Sequence, residues 1–412
     1  MNVFAIATSL FAVSSIFSFI NARFIKLPGV IGVMVLAMLT ALITLFAGKT
    51  MPGFSAFIIS LSGSIDFSKA LLDVMLGFLL FASALHFDIN KLKEGIRGVL
   101  IISTIGVLLS TLIFAGVLYY VTNWLHIDLP VIYCLLFGAL ISPTDAVAVA
   151  ALLKKTRMPK RLETIISGES LFNDGIGLVL FITFLEIANT PDKGFSIAEA
   201  GKLFAHEVFG GLALGAGFGW LAYRMMRAID DFQTIVLISI TLVMVITAVG
   251  AALHVSIPLA EVAAGLLVGS RSFSKRTDFK VEEVLGKIWG LMDDVLNTIL
   301  FVMIGLQMVT ITFSDNYILI GVIGILALLL ARALSIFLPV VFLRRSLNME
   351  YNSILILTWG GLRGGISVAL ALSLPGSPYR ELILAGSFFI VVFSVVVQGL
   401  TLNKVVNKLV EV

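Results

Sequence analysis

Apolar residues run along this chain in stretches of about twenty, the length a helix needs to cross hydrocarbon, with short polar stretches between them. Thirteen spans are expected, over residues 3–21, 28–47, 70–86, 97–121, 129–153, 161–188, 203–227, 232–253, 256–270, 284–310, 316–342, 350–374 and 380–402. A further apolar stretch, Phe54 to Leu61, is too brief to cross and is expected at the membrane interface; the ninth span is also short. No basic residue precedes Val3, so the first span reads as a retained helix rather than a cleaved signal. The expected fold class is an all-α polytopic membrane protein with about thirteen transmembrane helices.

Composition narrows the function. The 412 residues are 59% hydrophobic and 13% charged, with a mean hydropathy of +1.08. A soluble domain carries nearer a quarter charged residues. A cytosolic enzyme, a disordered chain and a nucleic-acid binder are therefore excluded. Cys134 is the single cysteine, and His86, His126, His206 and His254 show no metal-ligand spacing. Gly48-Lys49-Thr50 resembles the end of a phosphate loop, but Ile43 stands where its first glycine belongs, so no nucleotide is expected. No cofactor is expected, and active transport would draw on an ion gradient.

The net charge of +3 matters less than its distribution. With thirteen spans, 21 of the 28 lysines and arginines fall on one side, among them Arg23, Lys91, Lys154, Arg227, Arg271 and Arg344; five fall on the other. Basic loops stay cytoplasmic. The N-terminus is therefore expected outside and the C-terminus inside.

Candidate chemistry lies where ionisable groups interrupt the apolar spans: Asp73, Asp145, Glu169, Asp174, Glu261, Asp293, Asp294, Arg332 and Arg363. Such groups cost about 2.5–3.5 kcal/mol at mid-membrane on insertion scales and face a bundle interior or a wet cavity. In the fifth span, Pro143 removes a backbone donor and disfavours helix at Ser142. Thr144 and Asp145 follow, adding oxygens around freed carbonyls, which points to an ion site at a broken helix. In the sixth span, Ser170 and Asp174 are four residues apart and share a helix face, as do Glu169 and Asn173. A hydroxyl beside a carboxylate suits a hard monovalent cation. In the twelfth span, Trp359-Gly-Gly-Leu-Arg-Gly-Gly365 holds Gly361, Arg363 and Gly364 in a stretch that weakens a helix. The two interrupted spans lie seven apart and run in opposite directions, the pattern of an inverted repeat with broken helices crossing at a substrate site. Arg332 stands alone among apolar residues and needs a buried partner, for which Glu169 is the choice.

At Ser142-Pro-Thr-Asp145 and Gly168-Glu-Ser-Leu-Phe-Asn-Asp174 the sequence resembles the monovalent cation:proton antiporters, specifically the sodium/proton antiporters of the NhaP type. Asn297 to Gly305, Arg332 and Trp359 to Gly365 support the resemblance, which covers nearly the whole chain. It implies a core bundle (97–188 and 316–402) moving against an interface part (1–86 and 203–310) that makes a homodimer in a bacterial inner membrane. It implies that Asp174 is the shared cation and proton carboxylate, with ion contacts from Asp145, Ser170 and the Thr144 carbonyl. Asn173 would steady the unwound crossing, Glu169 would pair with Arg332, and Asp73 is the candidate for an acid of the third span near the ion. Two positions depart from the family pattern: Glu261 replaces a usually apolar residue, and His86 stands where an acid is expected.

The expected activity is therefore exchange of Na+ for H+, with one cation per proton because an asparagine, not a second acid, precedes Asp174. Residue types do not separate Na+ from Li+ or K+, and K+/H+ exchange on the same fold is the alternative. A cation channel, recognisable by single-channel currents, and an intramembrane protease using Asp145 and Asp174 are the remaining readings. The protease lacks a Gly-x-Gly-Asp sequence.

Overall fold

The structure is a computed structural model. It describes residues 2–47, 52–87, 89–145, 160–189, 197–269, 280–311, 315–342 and 351–410. The second half of the expected fifth span, 146–153, lies outside the described residues, as do the basic positions Lys154, Arg271 and Arg344 and the Gly48-Lys49-Thr50 stretch.

The apolar segments fold as helices, because no water is available in a bilayer to satisfy an open backbone. The first are α1 (Val3–Ile20), α2 (Gly29–Ala47), α3 (Pro52–Ser64) and α4 (Phe67–Leu85). Next come α5 (Ile89–Ile101), which passes through a π-helical turn into α6 (Val107–Trp124), then α7 (Val131–Ile141) and α8 (Lys160–Asn189). α9 (Ile197–Met226), α10 (Phe232–Leu253), α11 (Ile257–Gly269), α12 (Lys280–Gln307) and α13 (Asp315–Phe342) follow. The chain closes with α14 (Tyr351–Trp359), α15 (Gly365–Ser373) and α16 (Arg380–Val392), the last continuing through a π-helical turn into α17 (Gly399–Val410). Among the described residues nine helical stretches are long and apolar enough to cross a membrane, and α7 and α11 are apolar but shorter. The fold is all-helical, in keeping with the fold class read from the sequence. α3, with thirteen residues at about 1.5 Å each, spans only about two-thirds of a 30 Å hydrocarbon layer.

Two packing groups surround the site. α6 packs on α7 and α13, α13 packs on α16, and α8 packs on α5 and α7. In the other group α11 packs between α4 and α9, and α12 packs on α2 and α4. Trp289 of α12 anchors this second group: its ring lies 4.7 Å from that of Phe81, and its indole N–H donates to Ser239 Oγ at 3.0 Å. A buried indole keeps a polar partner, as its donor requires.

Candidate functional site

The first break follows from one proline. The Ser142 amide still donates to the Gly138 carbonyl at 3.0 Å, but Pro143 has no N–H to offer, and residues 142–145 leave the helix. The Ser142 hydroxyl accepts from Thr111 and donates to Ser110 at 3.1 Å, fixing the end of α7 to α6. The proline ring sits directly on α8, where a Cβ at Gly177 would meet Pro143 Cγ at 2.1 Å.

α8 presents four polar side chains here, all buried: Glu169, Ser170, Asn173 and Asp174. Asn173 brackets Thr144, accepting from its amide at 3.2 Å and donating to its hydroxyl at 2.8 Å. The Ser170 hydroxyl donates to the Thr144 carbonyl, and the Thr144 hydroxyl donates to Ser170 at 3.3 Å. The unwound residue thus has donors and acceptors supplied by the neighbouring helix, which is what unpaired backbone at membrane depth demands.

The second break, residues 360–364, lies between α14 and α15 and meets the first. The Asp145 amide donates to the Leu362 carbonyl at 2.7 Å. Arg363, fully buried, donates through one nitrogen to the Ser142 carbonyl at 2.6 Å and to the Pro143 carbonyl at 2.8 Å. Its cation therefore sits at the C-terminal, negative end of α7. The Arg363 amide donates to Ser394 Oγ at 2.8 Å, Ser394 donates to Gln398 at 2.7 Å, and Gln398 donates to the Trp359 carbonyl at 3.3 Å. Ser394 and Gln398 both belong to the π-helical turn Phe393–Gln398, which carries them toward the broken strand of chain. Gly364 leaves room for the acid opposite, since a Cβ there would lie 1.9 Å from Asp145 Oδ2. Gly361 leaves room for Arg332, whose Nε a Cβ would approach to 2.7 Å.

Thr144, Asp145 and Asp174 line one cavity with Pro143, Gly364 and Ser367; Leu76, Leu79, Leu80 and Ser83 of α4 and Asn297 and Leu300 of α12 complete its wall. Asp174 is 6% exposed. Asn297 donates to the Asp293 carboxylate at 3.0 Å and to its carbonyl at 2.8 Å. Glu169 and Arg332 form a two-pronged ion pair, with the second prong at 2.8 Å and a further bond from Arg332 to the Leu357 carbonyl at 3.3 Å. The pair is buried beside the cavity and does not line it.

The structure brings Asp145, Thr144 and Asp174 to the cavity, with Ser170 and Asn173 one bond behind, and leaves Asp73 outside it. An unbroken α-helix would put Asp73 on the face of Leu76, Leu80 and Ser83. The π-helical turn Ala70–Met75 rotates the register, and Asp73 is exposed. Ser83 and Ser367 went unnoticed in the sequence because a serine in an apolar helix has no distinguishing pattern. Ser394 and Gln398 escaped for the same reason.

A helical membrane bundle whose two breaks meet around a buried acid, Asp174, and a half-buried one, Asp145, belongs to the class of ion-coupled transporters. The chain matches the family model for the transmembrane part of sodium/hydrogen exchangers over residues 9–408, and it belongs to that family. It is 38% identical over 405 residues to the Na(+)/H(+) antiporter NhaP of Pseudomonas aeruginosa, covering 97% of this chain and 95% of that one. It is 29% identical over 347 residues to the Na(+)/H(+) antiporter NhaH of Halobacillus dabanensis, covering 83% and 84%. The sodium proton antiporter MjNhaP1 of Methanocaldococcus jannaschii, solved at pH 8, has the same fold, with a TM-score of 0.80 at 21% identity and 99% of each chain covered.

Proposed function

We propose that this protein exchanges one sodium ion for one proton, with both competing for Asp174. The observation that carries this reading is the burial of Asp174, which is 6% exposed at the cavity beside Asp145, with the Arg363 cation near it. Glu169 and Arg332 are occupied by each other. A charged acid in so dry a place costs several kcal/mol. A proton or a monovalent cation removes that cost equally well. Movement between the two faces is then confined to loaded forms, and exchange follows.

Oxygens of Asp145, Asp174, Ser170 and the Thr144 carbonyl are the cation ligands in this reading. A monovalent ion traded for a proton moves no net charge, so membrane potential, worth about 2.3 kcal/mol per charge per 100 mV, does not drive the cycle. The packing of α5–α8 with α13–α17 supports a moving core over 97–188 and 316–402, with 1–86 and 203–310 as the static, dimer-forming part. The basic side of the chain supports a cytoplasmic C-terminus in a bacterial inner membrane. The names of the relatives favour sodium, and K+/H+ exchange remains the second reading. No catalytic turnover of a substrate is assigned.

The test is dissipation of a pH gradient by sodium, lithium and potassium in proteoliposomes. Asp174→Asn is expected to remove the response to every cation. Unchanged cation uptake in Asp174→Asn would sink the mechanism, and a response to potassium alone would replace sodium.

A further inference from the structure

A second buried acid lies outside the cation site. Glu261 of α11 is 0% exposed. Its Oε1 lies 3.4 Å from the Thr247 hydroxyl of α10, and its Oε2 has no hydrogen-bond partner. Gly77 of α4 covers both groups: a Cβ there would meet Thr247 Oγ1 at 3.1 Å and Glu261 Oε1 at 3.4 Å. Thr247 is the polar side chain that α10 brings, and Gly77 is what α4 brings. No charged side chain of α4, α8, α9, α10 or α11 pairs with Glu261 among the described residues.

An ionised carboxylate in that position would have neither a counter-charge nor a full set of donors. Burying an ion so poorly compensated is far more costly than burying the neutral acid. As the acid, Glu261 still accepts from the Thr247 hydroxyl at Oε1 and carries its proton on Oε2. It then leaves a neutral hydroxyl unpaired instead of a charge, the less costly of the two orphans.

The position is also mechanically placed. α4 shows Gly77 to Glu261 on one face and lines the cavity with Leu76, Leu79, Leu80 and Ser83 on the adjoining one. α11 itself touches the ion-carrying helix, since a Cβ at Gly175, next to Asp174, would meet Leu259 Cδ2 at 2.6 Å.

We propose that Glu261 is a second, non-transported proton-binding site whose proton keeps α4 seated against α10 and α11, so that its loss at alkaline pH loosens the cavity wall and slows exchange. The proton does not cross the membrane, because Glu261 does not line the cavity. It goes to bulk water when the site opens and returns from it.

The experiment has two arms on the full chain. The first is infrared difference spectroscopy on the Asp174→Asn protein, with and without Glu261→Gln. A protonated-carboxyl stretch present near neutral pH is expected to disappear with Glu261→Gln. This arm is independent of transport and so stands even if the exchange reading fails. The second arm rests on that reading and compares exchange by wild type and Glu261→Gln in proteoliposomes as pH rises. Relative to its own neutral rate, Glu261→Gln is expected to retain about threefold more activity on the alkaline limb. Glu261→Met, neutral and similar in size, is expected to behave the same and replaces Glu261→Gln if that variant does not fold. Loss of no carboxyl band, or superimposable pH profiles for wild type and both neutral variants, overturns the proposal.

Discussion

The break after α7 carries an acid, Asp145, whereas the break between α14 and α15 carries a base, Arg363. Both stretches face the same problem, a helix opened at membrane depth with its backbone groups exposed. The first is opened by a proline and repaired by side chains of an adjacent helix, Asn173 and Ser170. The second is opened by glycines and repaired by a π-helical turn, through Ser394 and Gln398. Each also repairs the other: Asp145 donates its amide to Leu362, and Arg363 gives its guanidinium to Ser142 and Pro143. The difference teaches that backbone repair alone does not require unlike charges. The opposite signs meet at the cavity, and its most buried acid, Asp174, comes from neither break.

The strongest way to break this comparison is Arg363→Ala. Two carbonyls at the end of α7 would lose their donor, and Asp174 would lose the cation near it. We expect exchange to vanish and the folded state to lose about 3–5 kcal/mol, the usual cost of removing one partner from a buried charge pair. Exchange at the wild-type rate in proteoliposomes would mean that the repair of the first break does not depend on the second.

A finer probe is Gly364→Ala. The added methyl would lie 1.9 Å from Asp145 Oδ2, so the carboxylate must turn away from its present place. We expect sodium to bind about tenfold more weakly, about 1.4 kcal/mol, with the fold intact. Isothermal titration checks this, and unaltered affinity would remove Asp145 from the ligand set.

The smallest effect belongs to a helix end in ordinary surroundings. Asp231, exposed, caps the start of α10, accepting from the Thr234 hydroxyl and, at 2.8 Å, from its amide. Those bonds hold its carboxyl below the usual carboxylate range. Stabilisation from a lowered carboxyl is present above that range and fades as pH falls through the lowered value. Asp231→Ala is expected to reduce the melting temperature by about 1 °C at neutral pH, and the difference should close on strong acidification. A difference that persisted in acid would assign the effect to something other than the cap.

Much of this contrast is legible in the linear chain because it arises from local departures. Pro143 in an apolar run, four glycines around Arg363, and a Glu-Ser-x-x-Asn-Asp face each violate the pattern of the span that holds them. What the chain hides is partnership over distance. Nothing near Arg363 indicates that its acceptors lie more than 200 residues earlier, at Ser142 and Pro143. Nor does Gln398 look different from any polar residue near a span's end. Asp73 falls outside the cavity for another reason: helical periodicity assumes a constant turn, and the π-helical turn at Ala70–Met75 adds an angle that no residue in it announces. Spans were easier to locate than faces, since length is written in apolar runs and rotation is not.

Pro143 sits in the notch at Gly177, three residues beyond Asp174 on the same helix. Hydroxyl, amide and carboxylate donors of oxygen are thereby keyed together like teeth of one gear, and α8 cannot slide past the first break without carrying it along. In the proposed exchange a cation would keep the same oxygens while the wall from α4 and α12 changes around it. Its ranking among lithium, sodium and potassium would then be expected to match on the two sides of the bilayer.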